Sequence, residues 1–201
     1  MTPWQTLRFD FRAMASPCSL LIDGTDEVAM RRAADAAIQE VRRIEDKYSR
    51  YQNSSILSRI NQAAGARWTE VDDETNSLLD FAHRLWLLSD GLFDVTSGVL
   101  RQAWDFKAER LPEAHVLRQL LGRVGWQHVA REGHKVRLEQ PGMALDFGGF
   151  GKEYAADRAA AVLQAHHISH ALVNLGGDLH ALNGRGLPGN EGQPWSVDIQ
   201  H

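Results

Sequence analysis

A length of 201 residues suits one domain with a substantial core, and 43% hydrophobic with 24% charged residues is an ordinary globular composition that excludes a disordered chain. The 22 Lys and Arg against 26 Asp and Glu give a net charge of −4 with no basic stripe, which argues against a nucleic-acid partner. Cys18, the single cysteine, excludes an internal disulfide and a cysteine-based zinc centre.

Residues 1–8 show no charged start followed by an apolar run, and the longest apolar stretches fall well short of the roughly 20 residues of a membrane span. The sequence therefore predicts no signal peptide, lipoprotein anchor or membrane span. As written it reads as cytoplasmic, and as periplasmic if the true N-terminus lies upstream.

Leu7, Phe9 and Phe11 alternate with Arg8, Asp10 and Arg12, the pattern of a half-buried strand, and Cys18–Ile22 reads as its hairpin partner. After Gly24, the recurrence of Ala33, Ala37, Val41, Ile44 and Tyr48 predicts a long amphipathic helix. Ser54 is expected to cap a short helix carrying Leu57 and Ile60, and a third helix is expected from about Asp73 to Asp90, with Leu78, Ala82, Leu85, Trp86 and Ser89 on one face and Gly91 as its stop. Pro112 suits the first turn of a fourth helix reaching Leu121. Trp126–Ala130 and His134–Leu138 read as a hairpin, and a further helix after Lys152 uses Ala155, Ala156, Ala159, Val162 and Leu163. His170–Leu175, Leu179–Asn183 and Trp195–Ile199 read as strands, with Gly176-Gly177-Asp178 as a tight turn.

The segment from Ala144 to Tyr154 is the best candidate for chemistry. An apolar stretch runs into Gly148, Gly149 and Gly151 and then into a helix, with Asp146 before the bend and Lys152 after it. Such a bend can present amide N–H groups, a carbonyl and both charge signs to a polyphosphate or its metal ion. The competing reading is a glycine-rich strand-to-helix turn without a ligand. Neither familiar phosphate motif fits, because a Walker A loop would need glycine at Asp146 and Ser or Thr at Glu153, and a dinucleotide fingerprint would need Gly or Ala at Tyr154. That failure disfavours a dehydrogenase. Gly91–Gly98 forms a second polar, glycine-flanked turn whose simpler reading is a helix cap followed by an Asx or Ser/Thr turn. The histidines are scattered.

The order of the fragments is more specific than any one of them. Met14-Ala15-Ser16, Tyr48-Ser49-Arg50-Tyr51 with Ser55-Ile56-Leu57-Ser58-Arg59-Ile60-Asn61, Ser89-Asp90-Gly91-Leu92-Phe93-Asp94-Val95-Thr96-Ser97-Gly98 followed by Trp104 and Phe106, Asp146–Tyr154, Val173–Asp178 and Pro194–Ile199 succeed one another along nearly the whole chain. In this order they resemble the ApbE family of FAD:protein FMN transferases. Ala15 and Ser16 stand where the family has Gly and Thr, Gly151 where it has Ala, and Glu153 where it has Gly.

The resemblance implies a single domain over 1–201 of α/β (α+β) class, a mixed and largely antiparallel sheet with packed helices in a T-fold-like arrangement. It also implies an enzyme that moves FMN from FAD to a Thr or Ser hydroxyl of an acceptor protein with release of AMP, using Mg²⁺. By the same resemblance Met14, Tyr51, Gln52, Asn53, Leu92, Phe93, Asp94, Asp146 and Lys152 contact FAD, and Gly149 offers its carbonyl to the metal. No catalytic residue is assigned. The expected acceptor is a redox-pump subunit or electron carrier, and the oligomeric state is open. The family pattern continues past Trp195 with a His-x-x-x-Pro-x-x-Gly element and an Asp-x-x-x-Thr metal element, so the fold is expected to be C-terminally incomplete. A non-catalytic FAD-binding remnant or interaction module is the alternative.

Overall fold

The structure, a computed structural model, describes residues 3–104 and 111–197. In chain order its elements are β1 (Gln5–Ala13), β2 (Ser16–Gly24), α1 (Glu27–Tyr48), α2 (Ile56–Gln62), β3 (Thr69–Glu70), α3 (Asp73–Leu88), a 3₁₀ turn (Gly98–Ala103), α4 (Ala114–Leu121), a short 3₁₀ turn (Trp126–His128), β4 (Val129–Glu132), β5 (Lys135–Leu138), α5 (Gly151–Ala165), β6 (Ala171–Leu175) and β7 (Asp178–Leu182). Two antiparallel sheets with helices make the class mixed α/β. The chain divides into two compact units, Met1–Asp46 with Phe150–His201, and Lys47–Gly149. None of the helices among the described residues is long and apolar enough to cross a membrane.

The first unit holds a four-stranded sheet in the order β1-β2-β6-β7, antiparallel throughout. The alternation read along β1 is real: Leu7, Phe9 and Phe11 are half-buried while Arg8, Asp10 and Arg12 are exposed. The hairpin is tighter than expected. Ala13 already pairs with Ser16, leaving Met14 and Ala15 as a two-residue loop with φ of 52° and 60°. Positive φ at both loop positions is the mirror-image turn that matches the strands' own twist. The buried face of α5 is mostly alanine (Ala155, Ala156, Ala159, Ala160, with Leu163), that of α1 mixes Ala33, Ala34 and Ala37 with Met30, Val41 and Ile44, and Arg158 of α5 reaches Glu40 of α1 at 3.1 Å. Small side chains let backbones approach closely.

The loop after β7 is anchored on Asp23, a fully buried carboxylate near the end of β2. It accepts hydrogen bonds from Arg185 Nε (2.8 Å), Thr6 Oγ1 (2.7 Å) and the Gly186 N–H (2.9 Å). Arg185 also lies 4.6 Å from the Trp195 ring centroid, and the Trp195 indole N–H donates to the Asn183 carbonyl at 3.1 Å. Over residues 195–197 the expected strand at Trp195 is an irregular segment, and its remainder lies outside the described residues.

The second unit holds a three-stranded sheet, β3-β5-β4, and the helices α2, α3 and α4. The hairpin of β4 and β5 turns at Gly133, but its first strand begins at Val129 because residues 126–128 form the 3₁₀ turn. The cap of α2 is Ser55 rather than Ser54: its extended backbone (ψ 151°) lets Oγ accept the Ser58 N–H at 3.0 Å. Leu79 joins Leu78, Ala82 and Thr75 as the buried face of α3, displacing Leu85 and Trp86 from that role. Pro112 precedes α4, whose cap is Glu113. The two-residue β3 and the 3₁₀ turn after Ser97 carry too few residues to show a period.

Burial alone would push the Asp23 carboxyl up; the hydrogen bonds from Arg185, Thr6 and Gly186, with the Arg185 charge, outweigh it and hold the carboxyl below the usual carboxylate range. Such a depressed group stabilises the fold fully above its unfolded value of about 3.9, and that stability is lost as pH falls through the lower folded value. Asp23→Ala should cost about 3 kcal/mol in urea unfolding at neutral pH and flatten the fall in stability below about pH 4. An unchanged profile would refute this anchor. Ala15→Gly should raise stability by about 0.5–1 kcal/mol, since the left-handed conformation strains alanine by more than glycine's added chain entropy costs; thermal melting measures it.

Candidate functional site

Within the second unit, three separate parts of the sequence meet around Asp146. The segment leading to it is held on one side by Asn61 of α2, whose side-chain amide donates to the Leu145 carbonyl at 3.0 Å while its oxygen accepts the Leu145 N–H at 2.7 Å. On the other side the Asp146 N–H donates to the Val95 carbonyl at 2.8 Å, and Ser97 forms a parallel bridge with Ala144. A Cβ on Gly98 would stand 2.7 Å from the Asp146 Cβ, so only glycine permits this approach. The spacing of Asp94, Thr96 and Gly98 thus has a packing reason.

The Asp146 carboxylate is fixed as well. One oxygen accepts the Gly148 N–H at 2.9 Å, closing an Asx turn, and the other forms an ion pair with Arg50, with Arg101 at 3.9 Å from the same oxygen. The side chain of Asp146 is 19% exposed. What approaches the glycine corner from within this unit is therefore protein: a Cβ on Gly149 would meet the Phe93 ring at 2.8 Å, and one on Gly148 the Asp146 oxygen at 3.1 Å.

The turn carrying Tyr51, Gln52 and Asn53 rests on serines. Ser55 and Ser58 both donate to the Ser49 carbonyl, the second at 3.3 Å, and Ser49 Oγ accepts the Tyr51 and Gln52 N–H groups at 3.2 and 3.3 Å. Tyr51 itself is 77% exposed and lies against Arg50. Asn53 accepts a long hydrogen bond from Gln62. Leu92 projects from its turn at 92% exposure, and the Phe93 N–H donates to Ser89 Oγ at 2.8 Å.

Asp94 is occupied by backbone. One oxygen accepts the Thr96 N–H and hydroxyl (2.8 and 2.6 Å) and the other accepts the Trp126 N–H at 2.8 Å, while Thr96 Oγ1, fully buried, accepts the Gly125 N–H at 2.7 Å. This carboxylate ties two loops together. Tyr48 at the end of α1 packs its ring 5.5 Å from Phe147, and burial pushes its phenol up, keeping it neutral.

Met14 and Lys152 belong to the first unit. Met14, in the left-handed hairpin loop, donates its N–H to Glu45 of α1 at 2.6 Å. Lys152, in the first turn of α5, pairs with Asp178 at 2.7 Å. The β6–β7 glycine turn lies beside the β1–β2 hairpin, since a Cβ on Gly176 would stand 2.6 Å from the Ser16 Cβ. Arg50 and Asp178 stand inside the ordered motifs without an assigned role, and only the structure shows their pairings with Asp146 and Lys152.

The ordered motifs resemble those of a flavin transferase, and comparison with known proteins gives the same class. The ApbE family model matches residues 14–201, and the chain belongs to that family. An FAD:protein FMN transferase of Klebsiella pneumoniae is 30% identical over 200 residues, covering 95% of this chain and 56% of its own length. The crystal structure of the ApbE protein of Thermotoga maritima superposes with a TM-score of 0.82 at 27% identity, over 90% of this chain and 60% of that one. The apo flavinyl transferase ApbE of Pseudomonas stutzeri gives 0.85 at 23% identity, over 99% and 67%. The chain spans about half the length of the relatives it matches.

Gly98→Ala should force the 3₁₀ turn away from Asp146 and cost about 1–3 kcal/mol by overpacking. Urea unfolding measures it; a neutral substitution would refute the close approach.

Proposed function

We propose that this chain carries the flavin-nucleotide site of an FAD:protein FMN transferase. The observation that carries the reading is the convergence of the Ser49–Asn61, Asp94–Gly98 and Asp146–Gly149 elements on one fixed carboxylate, in a chain that belongs to the ApbE family. In this reading FAD lies against Tyr51, Leu92 and Phe93 and contacts Asp146 at the glycine corner. Asp94, with both oxygens engaged, acts by shaping the Leu92-Phe93 turn, and the assignments of Met14, Gln52, Asn53 and Lys152 rest on the family resemblance.

The reaction would be phosphoryl-group transfer. A Thr or Ser hydroxyl of an acceptor protein attacks the FMN-side phosphorus of FAD, the bridging P–O bond breaks, AMP leaves with the bridging oxygen, and the hydroxyl proton passes to solvent or a base. Magnesium enters this reading through one donor, the Gly149 carbonyl. Among the described residues no group of three or more His, Cys, Asp or Glu could hold an ion, so they do not complete a magnesium shell, and no step is derived through the metal. The acceptor class, a redox-pump subunit or electron carrier, comes from the resemblance.

Incubation of the chain with FAD, Mg²⁺ and a Thr-bearing acceptor domain tests the proposal. Covalent FMN on the acceptor with equimolar AMP is the expected result. Bound FAD with neither product would leave a binding site without transfer, and absence of FAD binding would overturn the reading.

A further inference from the structure

Arg50 stands between Ser49 and Tyr51 and has no role in the reading above, yet its guanidinium joins two of the residues assigned to the nucleotide. It forms the ion pair with Asp146, donates from Nη2 to the Tyr51 hydroxyl at 2.7 Å, and sits 4.7 Å from the centroid of the Tyr51 ring. The Arg50 side chain is only 25% exposed. We propose that Arg50 is a positioning residue for the flavin nucleotide, holding the Asp146 carboxylate and the Tyr51 ring in one arrangement before the ligand arrives. The inference rests on the functional reading given above.

Each partner needs such a hold. Tyr51 is 77% exposed, so packing does little to fix its ring, and its turn is secured through the backbone, where Ser49 Oγ accepts the Tyr51 N–H. Asp146 has one oxygen set by the Gly148 N–H, but the other faces two cations, Arg50 and Arg101. The closer guanidinium selects the orientation. A planar fork can serve a carboxylate and a phenol at once; an ammonium at the same place is a point charge and cannot align both. Side chains left to be ordered by the ligand lower its affinity, whereas preset ones do not.

FAD titration followed by flavin fluorescence, on the chain as it stands, tests this with four variants. Arg50→Ala should weaken FAD about tenfold, and Arg50→Lys should remain at least about threefold weaker than the parent although it keeps the charge. With Asp146→Asn already in place, the further change to Arg50→Ala should cost only about threefold, the share that acts through Tyr51, because residues in one network are not additive. A full tenfold loss in both backgrounds would assign Arg50 to the nucleotide itself and overturn the inference. So would parent-like affinity in Arg50→Ala or full rescue by Arg50→Lys. A parent chain that binds no FAD overturns the functional reading and this inference with it, whereas flat variants on a binding parent sink the inference alone. Should Arg50→Ala melt early, the Arg50→Lys and Asp146→Asn comparison still decides.

Discussion

Asp146 is a carboxylate whose main chain, Cβ and both oxygens are each held by a different piece of the second unit. Asn61 and Val95 fix the backbone on either side of it, Gly98 clears the space for its Cβ, and the Gly148 N–H and Arg50 take its oxygens. A charged group one-fifth exposed survives there because each of its oxygens has a donor, and leaving a partner out would strand a charge in a partly dry setting. Most other features of the unit are explained as supports for this arrangement. The serines around Ser49 brace the turn that delivers Arg50, and Asp94 with Thr96 braces the strand-like segment that delivers Val95 and Gly98.

The first unit uses the same device with a different purpose. Asp23 is wholly buried and accepts from a guanidinium, a hydroxyl and a main-chain amide, which pins a long loop to the sheet. Nothing about this cluster calls for a ligand, because its donors and acceptors satisfy each other. Asp146 differs in that Tyr51, joined to it through Arg50, remains largely exposed. Mutual satisfaction marks a strut, and the exposed Tyr51 beside a satisfied carboxylate is what the proposed nucleotide site would use.

Much of this was legible in the chain. Regular alternation along Leu7, Phe9 and Phe11 and the three-four spacing of Ala33, Ala37, Val41 and Ile44 report a repeating environment, so the strand and helix they describe are present. Ordered short motifs located the Asp146 corner and its family. What stayed hidden has no periodic signature. The choice of Ser55 over Ser54 as a cap turns on one ψ angle, and the anchoring of Trp195 to the preceding loop turns on its indole finding a carbonyl and a guanidinium there. The commitment of Asp94 to the Trp126 amide, 32 positions away, and of Asp146 to Arg50, 96 positions away, cannot be read from local spacing. Glycines at the corner suggested an approaching ligand; the approaching groups within the unit are the Phe93 ring and the Asp146 carboxylate.

The two-residue loop at Met14 and Ala15 carries a consequence for chain length. Nine consecutive cross-strand pairs, from Ala13↔Ser16 outward to Gln5↔Gly24, are counted from that loop. If the loop keeps its two-residue form, a single extra residue there, with the second strand held in place by β6, would shift the first strand by one pleat, sending Leu7, Phe9 and Phe11 into water and three charged side chains toward the interior. The spot can therefore tolerate a change of amino acid far more readily than a change in the number of them.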